Sequence, residues 1–243
     1  MIRYRTTRSV ICQFVMCSLI FLTKCKNPDE NPQDLSGYYL PVTTFPEKGM
    51  VYTYRNVIDT SADHEVWQHA LTSKNHIISI NYDSRQQVVQ KQYEQIVYNG
   101  VIVDSLILFF ANASGTTEKV PVKVLSASRF PFDAVDSTKV WLTKLEWWQP
   151  GDSLHVVLQR RRRFMGHMIW SSEGKSIPAI RFRTEDKFET EEVGWTNSEW
   201  TGEEIYAKDI GLVHYSRNIS KQMHLEFELE SRKPAKESIS NRQ

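Results

Sequence analysis

Cysteine is nearly missing from this chain. It has three, Cys12, Cys17 and Cys25, and none follows residue 25. A body stapled by disulfides is therefore excluded, and whatever folds after Cys25 is held by its own core. An excess of charge of one sign is missing too. Thirty Lys and Arg face 29 Asp and Glu, a net charge of +1, which excludes the basic footprint of most nucleic-acid binders. With 10 Gly and 9 Pro among 243 residues the chain is neither collagen-like nor low-complexity, and 40% hydrophobic residues exclude a wholly disordered one. Catalytic motifs are scarce: there is no Gly-x-Ser-x-Gly elbow and no phosphate-cradling glycine loop.

What is present begins with a leader. Arg3, Arg5 and Arg8 form a basic start without an acid, and an apolar run from Val10 to Leu22 follows. That run suits a secretory signal and is too short for a comfortable membrane span. It ends in Leu22-Thr23-Lys24-Cys25, and a polar stretch with Asp29, Glu30 and Asp34 comes next. This resembles the lipobox of bacterial lipoproteins, with Lys24 standing where a small residue is usual. The acidic linker is similar to that of Bacteroidota lipoproteins. The resemblance implies a signal peptide over 1–24, a lipid on Cys25, a flexible linker over 25–36 and a place in the cell envelope at the outer membrane. Several acyl chains would make attachment effectively permanent, since each buried methylene contributes about 0.8 kcal/mol. Loss of 1–24 removes Arg3, Arg5, Arg8 and Lys24 but no acid, so the mature net charge is negative.

From Gly37 onward the dominant period is two. In Gln222–Glu230, Met223, Leu225, Phe227 and Leu229 alternate with His224 and three glutamates, the mark of a strand with one wet face. Asn99-Gly100 between two β-rich runs predicts a hairpin whose two-residue turn pairs Tyr98 with Val101 and buries Val89, Tyr93, Val97, Ile102, Leu106 and Leu108 together. Pro150-Gly151-Asp152 marks a turn before Leu154–Leu158, and further strands are expected near 117–125, 161–170, 177–184 and 204–215. Residues 137–148 fit either period, with strand preferred. The expectation is an all-β fold: one antiparallel domain over 37–231, a strongly curved sheet, half-barrel or sandwich with at most one or two short helices, and a disordered tail over 232–243. The pair Lys48–Tyr54 and Tyr206–Val213 resembles segments of bacterial lipoproteins to which no activity attaches. That implies a periplasmic or surface all-β domain, with a curved sheet like that of lipoprotein-sorting carriers.

Candidate sites are few. His64 and His69 flank a glutamate as in zinc proteases, but they are five apart, and on a strand they face opposite sides. No metal or cofactor is expected. Arg160-Arg161-Arg162-Arg163 is the most unusual run: it marks an edge strand, or it pairs with acids such as Glu185 and Asp186, or Arg161 and Arg163 grip an anion on a concave face. Seven tryptophans either fill the core, stack on sugar rings or line a lipid cavity. The function expected is a lipid-anchored envelope protein that binds or scaffolds. The alternative is a carrier of a lipid or acyl chain in a cavity of the sheet, and less favoured is an envelope hydrolase. Partners are then the membrane, other envelope proteins or a hydrophobic ligand, and not nucleic acid.

Overall fold

The computed structural model describes residues 34–111, 116–133, 137–151, 154–172, 174–191 and 194–236. The leader, Cys25 and the end of the tail lie outside the described residues. Twelve strands follow one another: β1 (Met50–Asn56), β2 (Glu65–Ser73), β3 (His76–Tyr82), β4 (Val88–Val97), β5 (Gly100–Ala111) and β6 (Thr117–Pro131). After them come β7 (Val140–Gln149), β8 (Leu154–Ser172), β9 (Lys175–Glu191), β10 (Trp195–Ala207), β11 (Gly211–Asn218) and β12 (His224–Pro234). Two short 3-10 turns, Ser36–Tyr38 and Val42–Thr44, precede them.

The all-β antiparallel domain expected from the sequence is what forms, and its sheet closes. Each strand pairs with the next, and β1 pairs with β12, giving a barrel without a free edge. Alternation builds the two walls. In β7, Trp141, Thr143, Leu145 and Trp147 are buried, and in β9 so are Ile180, Phe182, Thr184 and Asp186. The residues between them point outward, where Arg181 meets Glu203, Lys187 meets Glu189, Lys123 meets Glu146 and Arg55 meets Glu228. Two buried apolar clusters lie apart from the plug, around Ile80 and around Ile205, and single large apolar side chains such as Leu125, Val140 and Trp148 stand exposed elsewhere.

One end of the barrel is plugged. The Leu35 N–H donates to the Phe132 carbonyl at 2.7 Å, and Leu35, Tyr38 and Tyr39 pack among Phe130, Trp141, Phe164, Phe182 and Tyr206. Phe130 holds the layer together, with ring centroids 5.0 Å from Tyr39, 5.5 Å from Phe182 and 5.0 Å from Tyr206. Tilted and edge-on aromatic pairs of this kind add about 0.5–1.5 kcal/mol each beyond their buried area. Leu35 thus belongs to the core, although the sequence places it in the flexible linker. At the other terminus β12 reaches Pro234 in register with Met50, into the stretch expected as a tail.

Two local readings shift and one holds. In the stretch that fits either period, Val140–Gln149 is a strand, as preferred. The 204–215 stretch is two strands, bent at Lys208–Ile210. The Asn99-Gly100 hairpin forms one step out of register: Val97 pairs with Gly100 and Ile96 with Val101, so Tyr98 and Asn99 make the turn. Neither they nor Gly100 has a positive φ, so the turn is not the expected type. Gly100 serves a different need, because a Cβ there would stand 2.3 Å from the Phe130 carbonyl oxygen. The new register turns Gln90, Gln92 and Glu94 inward and leaves Tyr93 among Ile78, Ile80 and Tyr82.

Candidate binding site in the lumen

Beneath the aromatic plug the lumen holds a cavity of about 370 Å³. Its lining side chains come from eleven of the twelve strands, with Tyr39 and Leu40 from the plug. Near the plug the lining is sealed: Arg162, Glu94 and Tyr206 are each 1% exposed. Toward the far end Trp67, Gln90, Leu108, Phe188, Trp200 and Arg217 are only half-buried, so the cavity opens there.

Charges fill the closed end in matched pairs. Arg162 grips Glu204 with two N–H groups, at 2.9 and 3.2 Å, and donates to Thr143 Oγ1 at 3.3 Å. Tyr206 donates to the same carboxylate at 2.9 Å. One layer further out, Arg160 forms a fork on Asp186, 2.7 Å on each arm, and Trp200 Nε1 donates to Asp186 at 2.9 Å. Burial opposes the charge of Glu204, but Arg162, Arg160 and Arg129 outweigh it and hold the carboxyl well below the ordinary glutamate range. Asp186 is lowered in the same way, burial being outweighed by Arg160. These groups stay ionised, and they act as a fixed lattice rather than as proton donors.

Around Glu94 the pairing is incomplete. Its Oε1 accepts from Tyr39 at 2.7 Å and Gln92 at 2.5 Å, while Arg129 Nε lies 3.4 Å away in ion-pair reach. Glu94 Oε2, Arg129 Nε and Trp147 Nε1 are buried without a hydrogen-bond partner, and all three residues line the cavity. Buried polar atoms are seldom left this way, and each calls for a ligand group or a water. His69, stacked on Trp67 and edge-on to Tyr52, is pushed down to about 3 by burial and then by Arg129, so it is a neutral ring.

The arginine run is divided by this wall. Arg161 and Arg163 stand exposed on the outside, in register with Glu185 and Arg183. Arg160 and Arg162 carry the lumen chemistry, and Arg160 takes Asp186, one of the acids the sequence offered as a neighbour. The signal was present in the phase of the strand: Val156, Leu158 and Phe164 share the parity of Arg160 and Arg162 and face inward with them. Glu65, Glu94, Arg129, Glu204 and Arg217 carried no sign of this kind, because strands far apart in sequence bring them together. His64 lies outside with Glu230, away from His69. Of the tryptophans, Trp141 fills the core, Trp67, Trp147 and Trp200 line the cavity, and Trp148 and Trp195 stand exposed on either side of His155.

No protein-family model and no curated protein matches the sequence. Two solved structures are similar in shape. A Bacteroides fragilis protein proposed to be exported, with a YmcC-like fold, is 13% identical, with a TM-score of 0.52 over 78% of this chain and 98% of its own. A Parabacteroides distasonis protein proposed to be a lipoprotein is 12% identical, with a TM-score of 0.48 over 78% of this chain and 97% of its own. The first likeness shows a shared fold.

Proposed function

We propose that this is a lipid-anchored binding protein of the bacterial envelope, held at the outer membrane through Cys25, that takes a small polar ligand into its barrel. The observation that carries the binding is the trio of buried, unpartnered polar atoms on Glu94, Arg129 and Trp147 around an open-ended cavity. Ligand pockets of this size fix their guest through convergent polar groups, and this lining carries many of them beside its aromatic and apolar side chains. The lipobox-like leader supports the anchor, and the export proposed for the B. fragilis protein of like fold agrees with it.

The lining favours a polar guest over an acyl chain. Leu108, Leu158 and Phe188 near the mouth would suit a hydrocarbon, but its end would meet Arg160, Asp186 and Glu204. Clamped carboxylates also speak for binding rather than proton transfer. The test is native mass spectrometry of the full chain released from its own membranes. A small polar molecule retained by the protein is the expected result, and a spectrum of bare lipidated polypeptide overturns the binding. Cys25→Ala is expected to move the protein from the membrane pellet to the soluble fraction. A variant that still sediments disproves the anchor.

A further inference from the structure

Among the described residues, Arg217 is the lumen arginine that forms no ion pair, although Glu65 and Asp186 lie near enough to act on it. Arg129, Arg160 and Arg162 form ion pairs with Glu94, Asp186 and Glu204. The fourth lumen carboxylate, Glu65, is occupied by neutral donors: Trp67 Nε1 donates to one oxygen at 2.5 Å and the Tyr215 hydroxyl to the other. Asp186 is filled by the Arg160 fork and the Trp200 indole. Among the described residues no acid forms an ion pair with Arg217, whose guanidinium carbon lies 5.5 Å from the centre of the Tyr215 ring. Directly across on β10 stands Gly202, which offers no side chain to compete, and a Cβ there would be 2.0 Å from the Ser216 carbonyl oxygen. Burial first and then the nearby Arg160 work against the Arg217 charge, and Tyr215, Glu65 and Asp186 offset them only in part, so the balance stands against the charge.

We infer that Arg217 docks the oxyanion of an acidic, hydroxyl-rich ring ligand, a carboxylate or a sulfate or phosphate ester, at the mouth of the barrel. A guanidinium backed by a ring keeps its planar edge of N–H donors free, which matches a two-oxygen acceptor. The indoles of Trp67 and Trp200 are fixed by their bonds to Glu65 and Asp186, so they present rigid aromatic surface to a sugar-like ring. Hydroxyls would then reach Gln90 at the mouth and the unpartnered atoms of Glu94 and Trp147 below. This rests on the lumen being a binding site, which native mass spectrometry decides on its own.

The test is arginine side-chain NMR on the full chain, titrated separately with sulfate, galacturonate and galactose. The Arg217 Nε–H signal, assigned by its loss in Arg217→Gln, is expected to move saturably with both anions and not with galactose. Sulfate response without galacturonate response assigns the site to a free or esterified inorganic oxyanion, within the proposal. In Arg217→Gln, galacturonate seen through tryptophan fluorescence should bind at least tenfold more weakly, ~1.4 kcal/mol, and Arg217→Lys should recover part of the loss. An Arg217 signal unmoved by either anion, or unchanged galacturonate affinity in folded Arg217→Gln, overturns the inference. Galactose and galacturonate binding equally would also remove Arg217 from the site, while leaving the lumen a binding site.

Discussion

Four consecutive arginines in β8 live in two different worlds. Arg162 is 1% exposed and makes three hydrogen bonds, to Glu204 and Thr143, whereas Arg161 and Arg163, one residue to either side, are exposed. Residue type is the same and sequence position nearly so, and only strand parity differs. A charge sealed in the closed end of the lumen must be matched or it is costly, while the same charge outside is screened by water and worth little. The inner wall is therefore a lattice in which each member depends on the others. The outer wall is a collection of independent side chains.

The largest expected effect follows from removing one member of the lattice. Arg162→Met takes from Glu204 its two-armed partner, leaving Arg160 at 3.5 Å and the Tyr206 hydroxyl, and should lower stability by about 3 kcal/mol in urea unfolding. Adding Glu204→Leu should recover much of this. A single-variant loss below about 1 kcal/mol would mean that the inner wall is as loose as the outer. Acid should act on the same lattice. His69, at about 3 in the barrel, takes its proton far more readily when unfolded, so stability falls as pH drops from its ordinary value near 6.5 toward 3. Asp186 and Glu204 are lowered in the fold, so their stabilisation is present above their unfolded pKa values and is lost on further acidification. Denaturant midpoints should therefore decline from pH 6.5 and steepen below about 4.5, by at most ~1.4 kcal/mol per pH unit for each group. His69→Gln should flatten the upper limb, and a profile identical to the parent's would exclude His69 as its cause.

Tyr206→Phe removes one neutral donor from Glu204 and should cost about 1–1.5 kcal/mol by thermal or urea unfolding. The smallest effect belongs to the outer pair. Arg161→Gln with Arg163→Gln should stay within about 0.5 kcal/mol of the parent. Reversing both to Glu in an Arg217→Gln background tests the sequence expectation that this pair grips an anion: sulfate binding by calorimetry should fall without unfolding if it does, and an unchanged isotherm would end that idea.

The same two walls explain what could be read from the sequence. Strand character was legible, including 137–148, because β-branched and aromatic residues at period two mark strands whichever side is wet. Which side faces in was less so. The usual rule puts apolar residues inside, and on β4 that rule selects Val89, Tyr93 and Val97. In this barrel the inner face of β4 is Gln90, Gln92 and Glu94, because the lumen is polar. The hairpin register was misread for the same reason, helped by an Asn-Gly pair whose glycine is there to let β5 approach β6. Closure was not legible either. It depends on β1 meeting β12 across nearly the whole chain, and no local pattern encodes that distance.

That meeting of first and last strands ties the fate of the whole wall to β12. Cutting the chain before His224 would not simply shorten it: it would unzip β1 and β11 at once and turn a ring into a ribbon with two sticky borders. Such a species would be prone to pair with its own kind. By the same logic, a nascent chain has no finished cylinder until β12 arrives, and must be kept from neighbours until then.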